Sequence, residues 1–97
     1  MRALHQAGFA WYDAKLENIL VGQDFKLKIC DVGMAQDVDK EFSTVKRGTM
    51  GYMAPEMHSV GAYSGEPCDI FSLGVVLFTM HFYMEPWTSA KTTNMYF

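Results

Sequence analysis

Residues 13 to 33 contain acidic and amide side chains of the kind that hold a divalent cation against a phosphate. Asp13 is followed by Lys15 and Asn18, and Asp31 lies further along the same stretch. Carboxylate and amide oxygens are hard ligands that suit Mg²⁺, which takes its remaining ligands from water and from nucleotide phosphates. A lysine beside them can neutralise charge on a transferred phosphoryl group. These residue types therefore predict a magnesium-nucleotide site, provided that the fold brings them together.

A predicted β-hairpin would bring them together. Residues 19–21 are a short β-prone run, and Gly-Gln-Asp at 22–24 supplies turn chemistry. Over residues 25–29, apolar side chains alternate with lysines, which is the pattern of a half-buried strand. An antiparallel hairpin joins its two ends, so we expect Asn18 beside Asp31. For such a pair alone, the simpler interpretation is a surface hairpin with solvated ends.

Four segments around this hairpin resemble protein kinase motifs, in the order in which that family carries them. The run W-Y-D-A-K-L-E-N at 11–18 resembles the catalytic loop H-R-D-L-x-x-x-N, and D-V-G at 31–33 resembles D-F-G. A-P-E at 54–56 matches the motif of that name, and D-I-F-S-L-G at 69–74 resembles the start of the central helix of the large lobe. Together the matches cover nearly the whole chain.

The resemblance implies an α+β fold that is mainly α: part of a kinase large (C-terminal) lobe with a short β-hairpin and no small lobe. Residues 1–97 would form one partial catalytic domain. Its parts would be a catalytic loop at 8–20, a D-F-G-like motif at 31–33, an activation segment at 31–56 and a central helix at 67–84. The glycine-rich loop and strand lysine that grip ATP in kinases have no counterpart here. We therefore expect the isolated chain to be inactive.

The resemblance also implies roles for individual residues. Asp13 would accept the proton of the substrate hydroxyl and orient its oxygen, while Lys15 would neutralise the phosphoryl charge. Asn18 and Asp31 would bind Mg²⁺ and, with it, ATP. Lys15, two residues after Asp13, resembles the serine/threonine-specific pattern, so the expected substrate is a protein serine or threonine.

Further residues would support or extend that site. Thr49 would bond to Asp13 and Lys15, and Asp69 would brace the catalytic loop. Glu17 would face a basic residue of the substrate, although a solvated carboxylate is an equally good interpretation. Glu56 normally pairs with an arginine that is absent here, so we expect it to be exposed because a buried unpaired carboxylate is costly.

The chain departs from the family pattern at four positions. Tyr12 replaces an arginine that in many relatives grips a phosphate, a contact that tyrosine cannot make. Val45 lies where relatives often carry a phosphorylated threonine, so we predict weak or absent control by phosphorylation of this segment. Trp11 replaces histidine and Val32 replaces phenylalanine, which is compatible either with volume compensation in one internal column or with decay of the site.

The apolar run at 70–84 is too short to cross a bilayer and predicts a buried helix. Pro67 is expected at its first helical position, Pro86 at its end, and Gly74 at a close backbone approach. The run is apolar on nearly all sides, so without flanking helices it would expose apolar surface. That surface favours self-association or a partner, and poor stability of the chain alone.

Composition narrows the possible functions. With 97 residues and a net charge of -3, the chain allows one small domain and gives no reason to expect nucleic acid or a membrane surface as partner. Its two cysteines form no disulfide framework, and no secretory signal is visible, so an intracellular, cytoplasmic location is expected. Three functions remain: a serine/threonine kinase using ATP and Mg²⁺, a pseudokinase-like binding module, or an inactive truncated fragment.

Overall fold

A computed structural model of the chain describes residues 1–31, 33, 35–37, 48–58 and 63–91. Its helices are α1 (Arg2–Gln6), α2 (Pro55–His58) and α3 (Gly65–Phe82). Its strands are β1 (Phe9–Ala10), β2 (Ile19–Val21), β3 (Leu27–Ile29) and β4 (Gln36–Asp37). Two short 3-10 turns lie at Leu16–Asn18 and Met50–Tyr52. This is a small α+β fold with a short antiparallel hairpin, as predicted.

The predicted hairpin is present, with β2 antiparallel to β3 and Ile19 opposite Ile29. The Cys30 amide donates to the Asn18 carbonyl at 2.9 Å, so the two ends meet as expected. The predicted half-burial of the second strand is wrong: β3 begins only at Leu27, and all of its residues are exposed. The reason is that its apolar side borders an open groove, and no described element covers it.

A second strand pair was not predicted. Strand β1 runs antiparallel to β4, with Phe9 opposite Asp37 and Ala10 opposite Gln36. The pair joins the start of the catalytic loop to the segment that follows the D-F-G-like motif. Two-residue strands carry no periodicity, so no sequence pattern could have indicated this pairing. Helix α1 ends just before Gly8, which takes a left-handed φ of 90°.

Helix α3 begins and ends two residues earlier than the predicted 67–84. Pro67 is therefore its third residue and not its first, which is tolerated because first-turn amides have no acceptor within the helix. Pro86 does not end the helix. The last helical residue is Phe82, and the next residue, Tyr83, adopts a left-handed φ of 57° and donates its amide to the Thr79 carbonyl at 2.9 Å.

Burial of α3 is one-sided, so the prediction of a buried helix holds for one face, and the expected exposure of apolar surface is found on the other. Val75 and Val76 are buried, whereas Leu77 is 67% exposed and Met80 is 56% exposed. A methyl group added at Gly74 would meet nothing within 4 Å, which contradicts the expected close backbone approach there. The apolar composition of α3 reflects surface that no described element covers. None of the helices in the described ranges is long and apolar enough to span a bilayer.

The core lies where the catalytic loop, residues 52–57 and α3 meet. One cluster consists of Ala10, Tyr12, Met53, Ala54, Met57, Tyr63 and Cys68. A second cluster of Tyr52, Val75 and Val76 packs against Leu16, Ile19, Phe71 and Trp87. The buried side of α3 thus forms the floor on which the catalytic loop and residues 48–58 rest.

Candidate functional site

A buried carboxylate of α3 holds the start of the catalytic loop. Asp69 is fully buried and accepts hydrogen bonds from the backbone amides of Trp11 and Tyr12, each at 2.7 Å. Its Oδ2 atom also lies 2.8 Å from Nε2 of His5. A buried carboxylate is stable only when its oxygens find donors. The bracing contact implied by the resemblance is therefore present, with three donors around one side chain.

His5 is the residue of this site that the sequence interpretation missed. It lies in α1, and its contact with Asp69 joins positions 64 residues apart in the chain. Local periodicity and spacing cannot indicate a pairing at such a separation. A single histidine within a short helix offered no other signal. The contact ties α1 to α3 beneath the catalytic loop.

The three side chains that would act on the substrate hydroxyl form one hydrogen-bonded set. Lys15 Nζ donates to Thr49 Oγ1 at 3.0 Å, and Thr49 Oγ1 donates to Asp13 Oδ1 at 3.1 Å. Lys15 Nζ is also 3.9 Å from Asp13 Oδ1, with both side chains mostly buried. The threonine hydroxyl thus bridges an ammonium group and a carboxylate, which fixes the orientation of both.

Asn18 completes this arrangement from the other side of Asp13. The Asn18 side chain is buried, and its Nδ2 donates to the Asp13 carbonyl at 3.0 Å and to Asp13 Oδ2 at 3.1 Å. An amide group has two N–H donors and one acceptor oxygen. Because both donors are directed at Asp13, the Oδ1 oxygen of Asn18 remains as the atom that can ligate a cation.

Asp31 is attached to the catalytic loop through its backbone. Its carbonyl accepts a hydrogen bond from Trp11 Nε1 at 3.0 Å, and its Oδ1 accepts one from the Gly33 amide at 3.3 Å. Its backbone takes a left-handed φ of 57°, and its side chain is exposed. Trp11, in place of the family's histidine, therefore links the two motifs by its indole N–H.

The donor set suits Mg²⁺. Asn18 supplies an amide oxygen, and Asp31 supplies an exposed carboxylate at the adjoining end of the hairpin. Among the described residues there is no group of three or more His, Cys, Asp or Glu that could hold a metal ion. Two oxygen side chains are nevertheless what a magnesium site needs when nucleotide phosphates and water complete the shell.

Two glutamates lie at the border of the site. Glu17 is exposed. Burial raises the pKa of the Tyr52 hydroxyl, and the charge on Glu17 is the second cause. Glu56 is exposed, as expected, and accepts a weak hydrogen bond from Cys68 Sγ at 3.6 Å. Burial, with Glu56 as the second cause, raises the pKa of Cys68 to about 12.

Several predictions concern positions outside the described residues. They are the volume compensation at the D-F-G-like motif and the phosphorylation control of the activation segment. The positions concerned are Val32 and Val45.

Comparison with known proteins agrees with the motifs. The protein kinase domain family matches residues 1–97. The chain is 34% identical over 98 residues to serine/threonine-protein kinase RUNKEL of Arabidopsis thaliana. It is 42% identical over 93 residues to serine/threonine-protein kinase grp of Drosophila melanogaster. It is 35% identical over 96 residues to CBL-interacting protein kinase 29 of Oryza sativa subsp. japonica.

The alignments cover this chain almost completely but only a small part of each relative. The aligned share of this chain is 98%, 92% and 99%, respectively, whereas the aligned share of the relative is 7%, 18% and 22%. The chain therefore spans less than a quarter of the length of each of these relatives.

Proposed function

Because the chain belongs to the protein kinase family, we propose that it is the catalytic-loop and activation-segment part of the large lobe of a serine/threonine protein kinase. Such an enzyme transfers the γ-phosphoryl group of ATP to a serine or threonine of a protein. One observation carries the proposal: Asp13, Lys15, Thr49 and Asn18 form a continuous hydrogen-bonded set. A site that had lost its function would not be expected to retain these hydrogen bonds between polar side chains.

Asp13 is the residue that receives the substrate hydroxyl. Its two carboxylate oxygens are held by Thr49 and Asn18, so the carboxylate cannot rotate freely. Phosphoryl transfer demands little covalent chemistry from the protein, and catalysis consists mainly of positioning and charge stabilisation. Asp13 therefore orients the acceptor oxygen in line with the phosphorus atom and takes its proton as the new bond forms.

Lys15 stabilises the negative charge on the transferred group. Its ammonium group is anchored by the Thr49 hydroxyl at 3.0 Å, which leaves its other hydrogens for phosphoryl oxygens. Asn18 and Asp31 would hold Mg²⁺ together with the phosphates of ATP. The bound ion would supply positive charge against the phosphate oxygens.

The acceptor class follows from three supports. The relatives named above are called serine/threonine-protein kinases in two cases and a protein kinase in the third. Lys15 occupies the position typical of serine/threonine-specific members, and its contact with Thr49 matches their pattern. Glu17 is exposed and offers a carboxylate to a basic residue of the substrate peptide.

A chimera tests the proposal. Residues 1–97 replace the aligned segment of the Drosophila kinase grp, which supplies the remainder of a catalytic domain. We expect the chimera to phosphorylate serine and threonine peptides with ATP and Mg²⁺, and not tyrosine peptides. Asp13→Asn should lower the rate at least about 100-fold, since it removes the group that receives the proton.

Asp24→Asn is the matched control, because Asp24 lies in the hairpin turn and bonds only to the nearby Lys26 amide among the contacts described. It should leave the rate unchanged. A folded chimera, verified by circular dichroism, that transfers no phosphate would contradict the proposal. So would an Asp13→Asn variant as active as its parent.

A second candidate function is a binding module that performs no chemistry. The apolar side chains exposed along α3 and the hairpin favour it, because contiguous apolar surface marks interaction sites. Isothermal titration of the 97-residue chain with ATP and Mg²⁺ addresses this alternative. We expect no specific binding, since the sequence has no glycine-rich loop to cover the phosphates.

The intracellular, cytoplasmic location expected from the sequence also stays a prediction.

A further inference from the structure

Tyr12 combines a strained backbone with a buried ring. It adopts a left-handed φ of 66°, which is unusual for any residue other than glycine and exceptional for a bulky one. Its side chain is only 4% exposed. Conformations of this kind persist only where the surroundings hold them in place. The contacts around Tyr12 therefore indicate the role of its strained backbone conformation.

Three parts of the molecule hold Tyr12. Its amide donates to Asp69 at 2.7 Å. Its ring lies edge-on to the ring of Tyr63, with the centroids 6.2 Å apart. The ring also fills the space above Gly65, the first residue of α3, where an added methyl group would overlap Cζ and Oη of Tyr12. The Tyr12 side chain thus adds to the Asp69 contacts that hold the catalytic loop on α3.

The carbonyl of Tyr12 makes the fourth contact, with Gly48. A methyl group at Gly48 would overlap the Tyr12 carbonyl oxygen, and Gly48 itself takes a left-handed φ of 92°. Gly48 directly precedes Thr49, and Tyr12 directly precedes Asp13. The close approach of these two backbones therefore sets the distance between Thr49 Oγ1 and Asp13 Oδ1, which is 3.1 Å.

We infer that Tyr12 is a positioning residue: its ring, seated against Gly65 and Tyr63, holds the backbone that brings Thr49, Lys15 and Asp13 together. Packing against α3 thereby fixes the backbone at this position. In many relatives that carry arginine here, a charged contact with a phosphate has that role. The inference rests on the proposed function only for the catalytic role of Asp13. The contacts, and the experiment below, do not depend on kinase activity.

Lysine acylation of the 97-residue chain tests the inference. Lys15 is mostly buried and hydrogen-bonded to Thr49, so a limiting dose of an acylating reagent should modify it slowly relative to exposed Lys26. Mass spectrometry gives the ratio of the two modifications. Tyr12→Ala should raise the Lys15-to-Lys26 ratio several-fold. Tyr12→Phe, which keeps the ring, should leave the ratio near that of the parent chain.

Tyr83→Ala is the matched control. Tyr83 has the same residue type and a left-handed φ of 57°, but it is 92% exposed. The same substitution there should not change the ratio. An unchanged ratio in Tyr12→Ala, or an equal rise in Tyr83→Ala, would overturn the inference while leaving the proposed function untouched.

If Tyr12→Ala unfolds the chain, amide hydrogen exchange in the hairpin would show this. In that case a pair of glycine substitutions provides a second test. Gly65→Ala adds one methyl group against the Tyr12 ring and Ala10, whereas Gly74→Ala adds one into open space on the same helix. We expect Gly65→Ala to raise the ratio and Gly74→Ala to leave it unchanged. Equal ratios in the two variants would contradict a role for the ring against α3.

Discussion

At the scale of single residues, left-handed backbone marks the candidate site. Among the described residues, four that are not glycine have positive φ: Phe25 in the hairpin turn, Tyr83 at the end of α3, and Tyr12 and Asp31 beside the proposed site residues. Each such conformation costs about 1–3 kcal/mol. Tyr12 directly precedes Asp13, and Asp31 is the first residue of the D-F-G-like motif. Two of the four strained positions thus lie beside side chains of the proposed site.

The hydroxyl of Thr49 gives the first prediction. Thr49→Ala removes the bridge between Lys15 Nζ and Asp13 Oδ1 while changing little volume. In the chimera described above, kcat should fall about 10- to 100-fold, because small errors in the placement of reacting groups have effects of that size. Thr49→Ser keeps the hydroxyl and should retain most of the activity. Steady-state kinetics of the three proteins would decide, and equal kcat for Thr49→Ala would refute the bridge.

Cys68 gives a prediction about pH. Burial, with the Glu56 carboxylate as the second cause, raises the pKa of its thiol from 9.0 to about 12. Between these values the unfolded chain loses a proton that the folded chain keeps. The free energy of unfolding should therefore be unaffected below pH 9 and fall as pH rises above it, by at most roughly 1.4 kcal/mol per pH unit.

Urea unfolding between pH 7 and 10 measures this effect. The raised pKa of Tyr52 acts in the same direction, so the test is a comparison between variants. Cys68→Ala should show a shallower loss of stability above pH 9 than the parent chain. Cys30→Ala, at a half-buried thiol, is the control and should keep the parent slope. Identical slopes for all three proteins would contradict the prediction.

At the scale of elements, α3 is the platform of the site. Its buried residues recur every three or four positions and so lie on one face of the helix. They are Gly65, Cys68, Asp69, Ser72, Val75 and Val76. Within one helix they seat the Tyr12 ring, hold the amides before Asp13 and contact the turn after Thr49. A rigid helix with these contacts keeps loop segments from different parts of the chain in register.

Ser72 gives the prediction at this scale. Its buried hydroxyl lies 2.7 Å from the Tyr52 carbonyl and 3.0 Å from the Cys68 carbonyl. Ser72→Ala removes the donor that joins α3 to the turn at residues 50–52. It should lower the free energy of unfolding by about 1–3 kcal/mol, the usual effect of leaving a buried polar group without its partner.

Ser64→Ala is the control for that measurement, because Ser64 precedes α3, is exposed and makes no capping hydrogen bond with its side chain. Its effect on urea unfolding should be much smaller. A loss of stability as large for Ser64→Ala as for Ser72→Ala would argue against a specific link between α3 and the turn.

At the scale of the whole molecule, the described chain leaves much apolar surface in contact with solvent. A groove of about 390 Å³ lies between the hairpin and α3. It is lined by Leu16, Ile19, Val21, Leu27, Leu73, Val76, Leu77 and Met80. Patches of this kind promote association. The prediction of an exposed apolar helix is thus confirmed for the described residues, whereas self-association stays a prediction.

Light scattering coupled to size-exclusion chromatography tests that prediction. The 97-residue chain should elute as associated species, and the double substitution of Leu77 and Met80 by glutamate should lower the apparent mass. Phe25→Glu is the control, since Phe25 is highly exposed in the hairpin turn but does not line the groove. A monomeric parent chain that melts cooperatively would contradict the prediction.

The local features of this protein were open to prediction from its residues. The hairpin, the existence of α3 and the family were all correctly inferred. Each depends on the periodicity, turn chemistry or motif order of neighbouring residues. The ends of α3 were misplaced by two residues because a left-handed Tyr83, and not Pro86, stops the helix.

The long-range contacts were decided by tertiary structure alone. They include the His5–Asp69 contact, the β1–β4 pair and the seating of Tyr12 against Gly65. Exposure was also decided by tertiary structure, because the same alternation of apolar and polar side chains can face either a packed layer or an open groove. Sequence patterns record which neighbours share a face, whereas the partner of that face depends on segments far away in the chain, and only the folded backbone brings them into contact.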